Sequence, residues 1–221
     1  MGMNKKEKLV YFMNPSIYCL TAESLSKGRD NISVVKEMLK AGVKIIQYRE
    51  KKKSLKEKYY ECMKIREMTK EYNAVFIVND HVDLCAMVKA DGIHIGQDDY
   101  PLTAVREYLG DDYIIGVSTH SPEQLRAAAA EGADYVGVGP IFETHTKEDV
   151  VAPVGFEYLE WAVKNSPVPI VAIGGIKEHN IKEVARRGAK CIALVSEIVG
   201  ADDIMGKIKS LYTAINAKSL A

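Results

Sequence analysis

Residues 114–139, IIGVSTHSPEQLRAAAAEGADYVGVG, contain the signals of a strand, a helix and a second strand in order. Two short apolar runs, at 114–118 and 135–139, have the length and composition of buried strands. Between them, Ser121 followed by Pro122 marks a helix start, and Gly132 supplies a left-handed helix stop before the second run. The stretch therefore predicts one βα unit followed by the next strand.

The same pattern recurs along the rest of the chain. Eight short apolar runs alternate with segments of helical apolar spacing, and they lie at residues 17–21, 44–49, 75–79, 92–96, 114–118, 135–139, 169–174 and 191–196. Gly42 and Gly188 also stand between a helix and the next strand. Eight βα units in 221 residues favour a single (β/α)8 TIM barrel over an open doubly wound sheet, which would leave two edges. We expect residues 1–221 to form this one domain, with a short polar extension at about 1–10.

The composition favours small-molecule substrates as partners. Thirty basic residues balance thirty acidic ones, so the chain lacks the positive charge of a general nucleic-acid or membrane binder. No apolar run has the length and continuity of a membrane span or a signal peptide. The four cysteines are far apart within apolar runs, as reduced core cysteines are. We therefore expect a cytoplasmic protein, and the sequence leaves a homo-oligomer open.

Polar residues follow the second strand, and in such barrels the active site lies at the C-terminal ends of the strands. Gln47, Arg49 and Lys51 alternate onto one side of an extended chain. The two cations suit a multiply charged anion such as a diphosphate, and the amide can pair with the edge of a heterocycle. The lysines after Lys51 fit a solvated helix face better.

Carboxylates follow the third and fourth strands, at neighbouring points of the barrel rim. Asp80 follows Asn79, and the pair Asp98 and Asp99 follows the fourth strand. Magnesium is usually held by one or two carboxylates together with substrate phosphate oxygens. Asp80 and Asp99 are therefore the candidate Mg²⁺ ligands, with Asp98 as a competing candidate. Helix capping is the alternative role for these carboxylates.

Three further strand ends carry groups that suit phosphate oxygens. Ser118 ends the fifth strand, where a turn role is an equal alternative. The loop after the sixth strand, at 139–147, is longer than a connection requires and ends in Lys147, which is typical of a binding loop or lid. Gly175 and Ser196 follow strands seven and eight, where this fold commonly binds phosphate. His120 lacks the partners of a catalytic triad, and the other histidines lack metal-ligand spacing.

Together these motifs resemble those of the thiamin phosphate synthase family from the first strand to the last. The resemblance rests on the segments 47–51, 79–80, 91–99, 116–118 and 139–147. It implies an enzyme that joins a pyrimidine diphosphate to a thiazole phosphate and releases pyrophosphate, forming thiamin phosphate. The reaction would be a dissociative substitution without a protein nucleophile, in which Mg²⁺ and cationic side chains offset the charge growing on pyrophosphate.

The resemblance also implies roles for individual residues. The catalytic residues would be Arg49, Lys51, Ser118 and Lys147. Contacts to the pyrimidine diphosphate would come from Gln47, Tyr48, Arg49, Glu50, Lys51, Asn79, Ser118 and Lys147. Contacts to the thiazole phosphate, or to its carboxylated form, would come from Thr144, His145, Thr146, Gly175, Val195 and Ser196, while Asp80 and Asp99 would bind Mg²⁺. The chain departs from the family pattern at Tyr48, where an aliphatic residue is usual, and at Glu143, where proline is common.

Three alternatives stay open. A thiazole tautomerase-like isomerase would need no diphosphate site, so the segment 47–51, the two carboxylates and Lys147 argue against it. Another phosphate-binding barrel isomerase would share only the generic loops after strands seven and eight. A non-catalytic binding protein would keep the pocket without the reaction. Linked binding of magnesium and pyrophosphate would indicate an intact diphosphate site.

Overall fold

The computed structural model describes residues 3–144 and 151–216, and within these ranges the strands form a closed parallel barrel in the order β1 to β8. The strands are β1 Ser16–Leu20, β2 Ile45–Tyr48, β3 Val75–Asn79, β4 Gly92–Ile95, β5 Ile114–Thr119, β6 Tyr135–Val138, β7 Ile170–Ala172 and β8 Cys191–Leu194. Each strand pairs in parallel with the next, and β8 pairs with β1, which closes the sheet. The predicted barrel is confirmed, although β5 ends one residue later than predicted and every other strand except β3 ends one or two residues earlier.

One helix precedes β1, and the others follow the strands around the barrel. They are α1 Lys5–Met13, a 3-10 helix at Glu23–Leu25, α2 Asn31–Lys40, α3 Leu55–Glu71, α4 Val82–Met87, α5 Leu102–Leu109, α6 Pro122–Ala130, α7 Gly155–Asn165, α8 Glu178–Arg186, α9 Ser196–Val199 and α10 Ile204–Asn216. Ser121 caps α6 as predicted, and Ser54 caps α3 in the same way. The left-handed stops are also confirmed, because Gly42, Gly132 and Gly188 have φ of +90°, +95° and +95°.

The N-terminal end of the barrel is closed by an aromatic side chain. Phe12, in the last turn of α1, is 1% exposed and lies within the barrel interior. Its ring lies 4.5 Å from that of Tyr135 and meets the ring of Tyr18 edge-on at 5.9 Å between centroids. The predicted polar extension at about 1–10 therefore includes much of a helix, which begins at the capping residue Asn4. That residues 1–221 make up one domain stays a prediction.

A buried carboxylate joins α1 and α3 to the same end of the barrel. Asp91 accepts from Phe76 N at 2.8 Å, and its side chain, 2% exposed, pairs with Lys8 and Arg66 at 2.8 Å each. The resemblance placed Asp91 in the same segment as the candidate metal ligand Asp99. The structure separates them, because Asp91 precedes β4 and the other carboxylate follows it. Asp91 is thus part of the packing at the closed end.

The four cysteines lie in the core of the protein. All four cysteines are buried and free, as predicted. Burial raises the pKa of the Cys85 and Cys191 thiols to about 12, so both are held as neutral thiols. None of the helices in the described ranges combines the length and the apolar character that crossing a bilayer requires.

Candidate active site

A cavity of about 1060 Å³ opens at the C-terminal ends of the strands. Most of the predicted site residues line it, namely Gln47, Arg49, Lys51, Asn79, Asp80, Asp99, Ser118, Thr144, Gly175, Val195 and Ser196. They come from the ends of seven different strands, so the closed barrel brings together residues that are far apart in the sequence. This volume lies at the upper end of the range found for ligand pockets, so the cavity has room for two small substrates.

Tyr48 and Glu50 point away from this cavity. The Tyr48 hydroxyl donates to Glu61 Oε2 on α3 at 2.7 Å, and Glu50 Oε1 accepts from Glu23 N at 2.9 Å. Alternation along an extended chain explains the difference, because neighbouring side chains project to opposite sides. This placement does not support the expectation that the Tyr48 and Glu50 side chains contact substrate.

The loop after β6 reaches the cavity but is described only in part. His145, Thr146 and Lys147 lie outside the described residues, and their substrate contacts stay predictions. The first part of the loop extends the hydrogen bonding towards β7, because Ile141 N donates to Ile173 O at 2.9 Å and Phe142 N to Gly174 O at 3.0 Å. Thr144 is thereby held at the cavity wall.

The two candidate metal ligands lie side by side. Asp99 Oδ2 accepts from Gly96 N at 2.6 Å, and the Asp99 side chain lies close enough to Asp80 to affect its pKa. Lys51 Nζ lies 2.6 Å from Asp80 Oδ2. Partial burial raises the pKa of Asp80, but the hydrogen bond and ion pair with Lys51 outweigh it and hold that pKa below its ordinary value. Asp98 also lines the cavity, so it stays a competing candidate.

A chain of hydrogen bonds crosses the floor of the cavity. Gln47 Nε2 donates to the Tyr18 hydroxyl at 2.7 Å, which lies 3.0 Å from the Tyr135 hydroxyl. The Tyr135 hydroxyl lies 3.0 Å from His94 Nδ1, and His94 Nε2 lies 2.9 Å from Ser118 Oγ. Two predicted substrate contacts, Gln47 and Ser118, are therefore connected through three residues to which the sequence assigned no role.

The two tyrosine hydroxyls of the floor stay protonated, because burial raises the pKa of Tyr18 and of Tyr135 well above the ordinary value. Either hydroxyl can be the donor in the contact between them. The tautomer of His94 sets which atom donates in its contacts with Tyr135 and Ser118.

Glycines make room for this floor. A Cβ at Gly116 would lie 2.0 Å from Tyr135 Cζ, and one at Gly137 would lie 3.3 Å from His94 Cε1. Gly116 on β5 pairs with His94 on β4 and with Tyr135 on β6. A glycine on the strand between them was therefore the sequence signal for these two large side chains. A Gly at an inward position marks a neighbour with a large side chain.

The opposite part of the cavity, at β7 and β8, is built from a tight turn. Gly175 has φ of +65°, and a Cβ there would lie 2.5 Å from Glu143 O, so only glycine fits beneath the loop after β6. Asn180 Nδ2 donates to Gly175 O at 3.1 Å. Lys177 Nζ donates to Ser196 Oγ at 2.8 Å, which links the end of β7 to the end of β8.

Comparison with known proteins identifies the family of this chain. Residues 17–198 match the family model described as thiamine monophosphate synthase. The chain belongs to the thiamine monophosphate synthase family. The resemblance drawn from its motifs is thus confirmed, and membership in the thiamine monophosphate synthase family identifies the chain as a transferase enzyme.

Individual members of the thiamine monophosphate synthase family match almost the whole chain. A thiamine-phosphate synthase of Caldicellulosiruptor saccharolyticus is 59% identical over 215 residues, which cover 97% of each protein. That of Pelotomaculum thermopropionicum is 59% identical over 216 residues, covering 98% of this chain and 99% of the relative. The solved structure of a thiamine phosphate pyrophosphorylase from Pyrococcus furiosus matches with a TM-score of 0.83 at 34% identity, covering 91% of this chain and 95% of that one.

Proposed function

We propose that the chain condenses 4-amino-5-hydroxymethyl-2-methylpyrimidine diphosphate with 4-methyl-5-(2-hydroxyethyl)thiazole phosphate, or with its carboxylated form, giving thiamin phosphate and pyrophosphate. The observation that carries the proposal is that one cavity holds two separate sets of anion-binding groups. Arg49 and Lys51 lie at the end of β2, while Gly175 and Ser196 lie at the ends of β7 and β8. A diphosphate and a phosphate can therefore bind together.

Asp80 and Asp99 suit a Mg²⁺ ion held with the diphosphate. Both side chains line the cavity beside Lys51, and carboxylate oxygens are the ligands that Mg²⁺ prefers. The described residues contain no group of three or more acidic, histidine or cysteine side chains arranged to hold a metal, so other ligands would come from diphosphate oxygens and water. Bound there, Mg²⁺ would stabilise negative charge on the leaving group.

The protein groups around the diphosphate support a dissociative substitution. Arg49 and Lys51 would offset charge that grows on pyrophosphate as its bond to the pyrimidine methylene carbon breaks. Ser118, which lines the cavity and is held by the contact of its hydroxyl with His94 Nε2, would hydrogen-bond to a pyrophosphate oxygen. Gln47 would pair with the edge of the pyrimidine. No protein nucleophile is needed, since the thiazole nitrogen captures the cationic methylene carbon.

The thiazole phosphate would occupy the β7 and β8 side of the cavity. Thr144, Gly175 and Ser196 line this side, together with Val195. The resemblance adds His145, Thr146 and Lys147 from the loop after β6. We further propose that the enzyme acts in the cytoplasm on these small molecules alone, without a nucleic-acid or membrane partner. The sequence leaves a homo-oligomer open.

The test is pyrophosphate release by the purified protein given both substrates and Mg²⁺, with each component omitted in turn. We expect release only when all three are present, with thiamin phosphate formed in equal amount. Lys51→Ala should lower kcat at least about tenfold, as expected for losing one electrostatic contact to the transition state. Lys52→Ala is the matched control, since Lys52 is exposed and lies outside the cavity wall. Isomerisation of the thiazole phosphate without pyrophosphate release would instead support the tautomerase-like alternative.

A further inference from the structure

We infer that Lys177 is a specificity residue that binds the phosphate of the thiazole substrate, an inference that rests on the function proposed above. Lys177 follows β7 and lines the cavity. Its ammonium group donates to Ser196 Oγ at 2.8 Å, so the cation lies at one of the groups expected to hold the phosphate. An ammonium group at this point adds a charge-assisted contact that a hydroxyl and backbone amides alone do not supply.

The backbone beneath Lys177 is held in place. Lys177 N donates to Asn180 Oδ1 at 2.7 Å, and Asn180 Nδ2 donates to Gly175 O at 3.1 Å. Asn180 thus joins both ends of the turn 175–177. Gly175 and Lys177 are therefore presented to the cavity as one unit, which lowers the conformational cost of binding an anion between them.

The charge of Lys177 is available on the cavity side. Among the described residues, Glu197 is the acidic neighbour in contact with it, and Glu197 Oε2 lies 3.5 Å from Lys177 Nζ. The other oxygen of Glu197 lies 3.2 Å from Lys207 on α10, and neither Glu197 nor Lys207 lines the cavity. Glu197 is therefore shared with a second cation behind the wall. The side chain of Lys177 keeps 36% exposure, so an anion in the cavity can reach it.

This position separates Lys177 from the diphosphate cations. Arg49 and Lys51 stand at β2, and two strands, β1 and β8, lie between β2 and β7 in the closed sheet. Lys177 would therefore act on the thiazole phosphate and not on the pyrimidine diphosphate. It follows that Lys177 contributes to the preference for the phosphorylated thiazole over the corresponding thiazole alcohol.

Steady-state kinetics of Lys177→Met test this inference, with each substrate varied while the other is saturating. We expect KM for thiazole phosphate to rise about tenfold, which is the size of one charge-assisted contact at a partly exposed site. KM for the pyrimidine diphosphate and kcat/KM for the thiazole alcohol should not change, and Lys177→Arg should restore part of the loss. The control is Lys182→Ala, which removes an exposed lysine of α8, the helix that begins after Lys177, and this lysine lies outside the cavity wall.

Two results would overturn the inference. One is an unchanged KM for thiazole phosphate in Lys177→Met, and the other is an equal loss for the phosphate and the alcohol. Calorimetric titration with thiazole phosphate separates this failure from failure of the proposed reaction. If the wild-type protein releases no pyrophosphate, the reaction is wrong, and weaker binding by Lys177→Met than by wild type would still support Lys177 as a phosphate ligand. Equal binding by the two proteins, or none by either, would refute it.

Discussion

Removing the Tyr135 hydroxyl tests whether the hydrogen-bonded floor positions the residues that line the cavity. Tyr135→Phe deletes the contacts to the Tyr18 hydroxyl and to His94 Nδ1, each 3.0 Å long, while the ring packing with Phe12 is kept. A hydrogen bond contributes about 0.5–1.5 kcal/mol net, so two lost bonds cost about 1–3 kcal/mol. For a chain of this size each kcal/mol lowers Tm by about 2–4 °C, which gives a fall of about 2–12 °C.

The effect on turnover should exceed what stability alone explains. Without the Tyr135 hydroxyl, His94 loses one of the contacts that orient its ring, and its contact with Ser118 is held less firmly. We expect kcat/KM for the pyrimidine diphosphate to fall about tenfold, equivalent to about 1.4 kcal/mol. Urea denaturation and pyrophosphate release at a temperature where the variant is fully folded measure the two effects separately.

Tyr158→Phe is the matched control. The Tyr158 hydroxyl donates to one partner, Thr119 Oγ1 at 2.7 Å, and the residue lies outside the cavity wall. This variant should lose about 0.5–1.5 kcal/mol of stability and keep the wild-type kcat/KM. The reasoning fails if Tyr135→Phe keeps wild-type turnover, or if both variants lose turnover in proportion to stability.

Two further predictions concern stability. Asp91→Ala should lower the free energy of unfolding by about 3 kcal/mol, the low end for a broken buried pair, because Arg66 and Lys8 keep some exposure; a loss below about 1 kcal/mol in urea denaturation would contradict this. Asp30 caps α2 by accepting from Ser33 N at 2.7 Å, and this hydrogen bond holds its pKa below the ordinary value. A lowered folded-state pKa means that the cap, worth about 1 kcal/mol, stabilises the protein at neutral pH and is lost as pH falls through that pKa. The stability difference between wild type and Asp30→Ala should therefore shrink in acid, whereas the difference between Asp30→Asn, an uncharged cap, and Asp30→Ala should stay constant with pH.

The barrel could be predicted because its signals are local. Apolar runs, capping serines and left-handed glycines each act within a few residues, and their repetition is sufficient to count the strands. The same local rule correctly directed Gln47, Arg49 and Lys51 to one side. It also explains why the Tyr48 and Glu50 side chains, which were taken from the family pattern as a continuous motif, face the other way.

The floor of the cavity could not be predicted in this way. His94 and Tyr135 are 41 residues apart, and their contact depends on the register of three strands around a closed sheet. Sequence spacing alone does not determine which inward side chains share a layer. The opposite roles of Asp91 and Asp99 have the same origin, because one strand places the first at the closed end and the second at the cavity.

Phe12 fills the N-terminal end of the barrel together with the other buried side chains of the barrel interior. With the far end filled by its ring, the cavity is reached from the side where the strands end. Both substrates and both products would then pass through the opening at the ends of the strands. The nine-residue helix before the first strand thus limits access to the site, although it lies at the opposite end of the barrel.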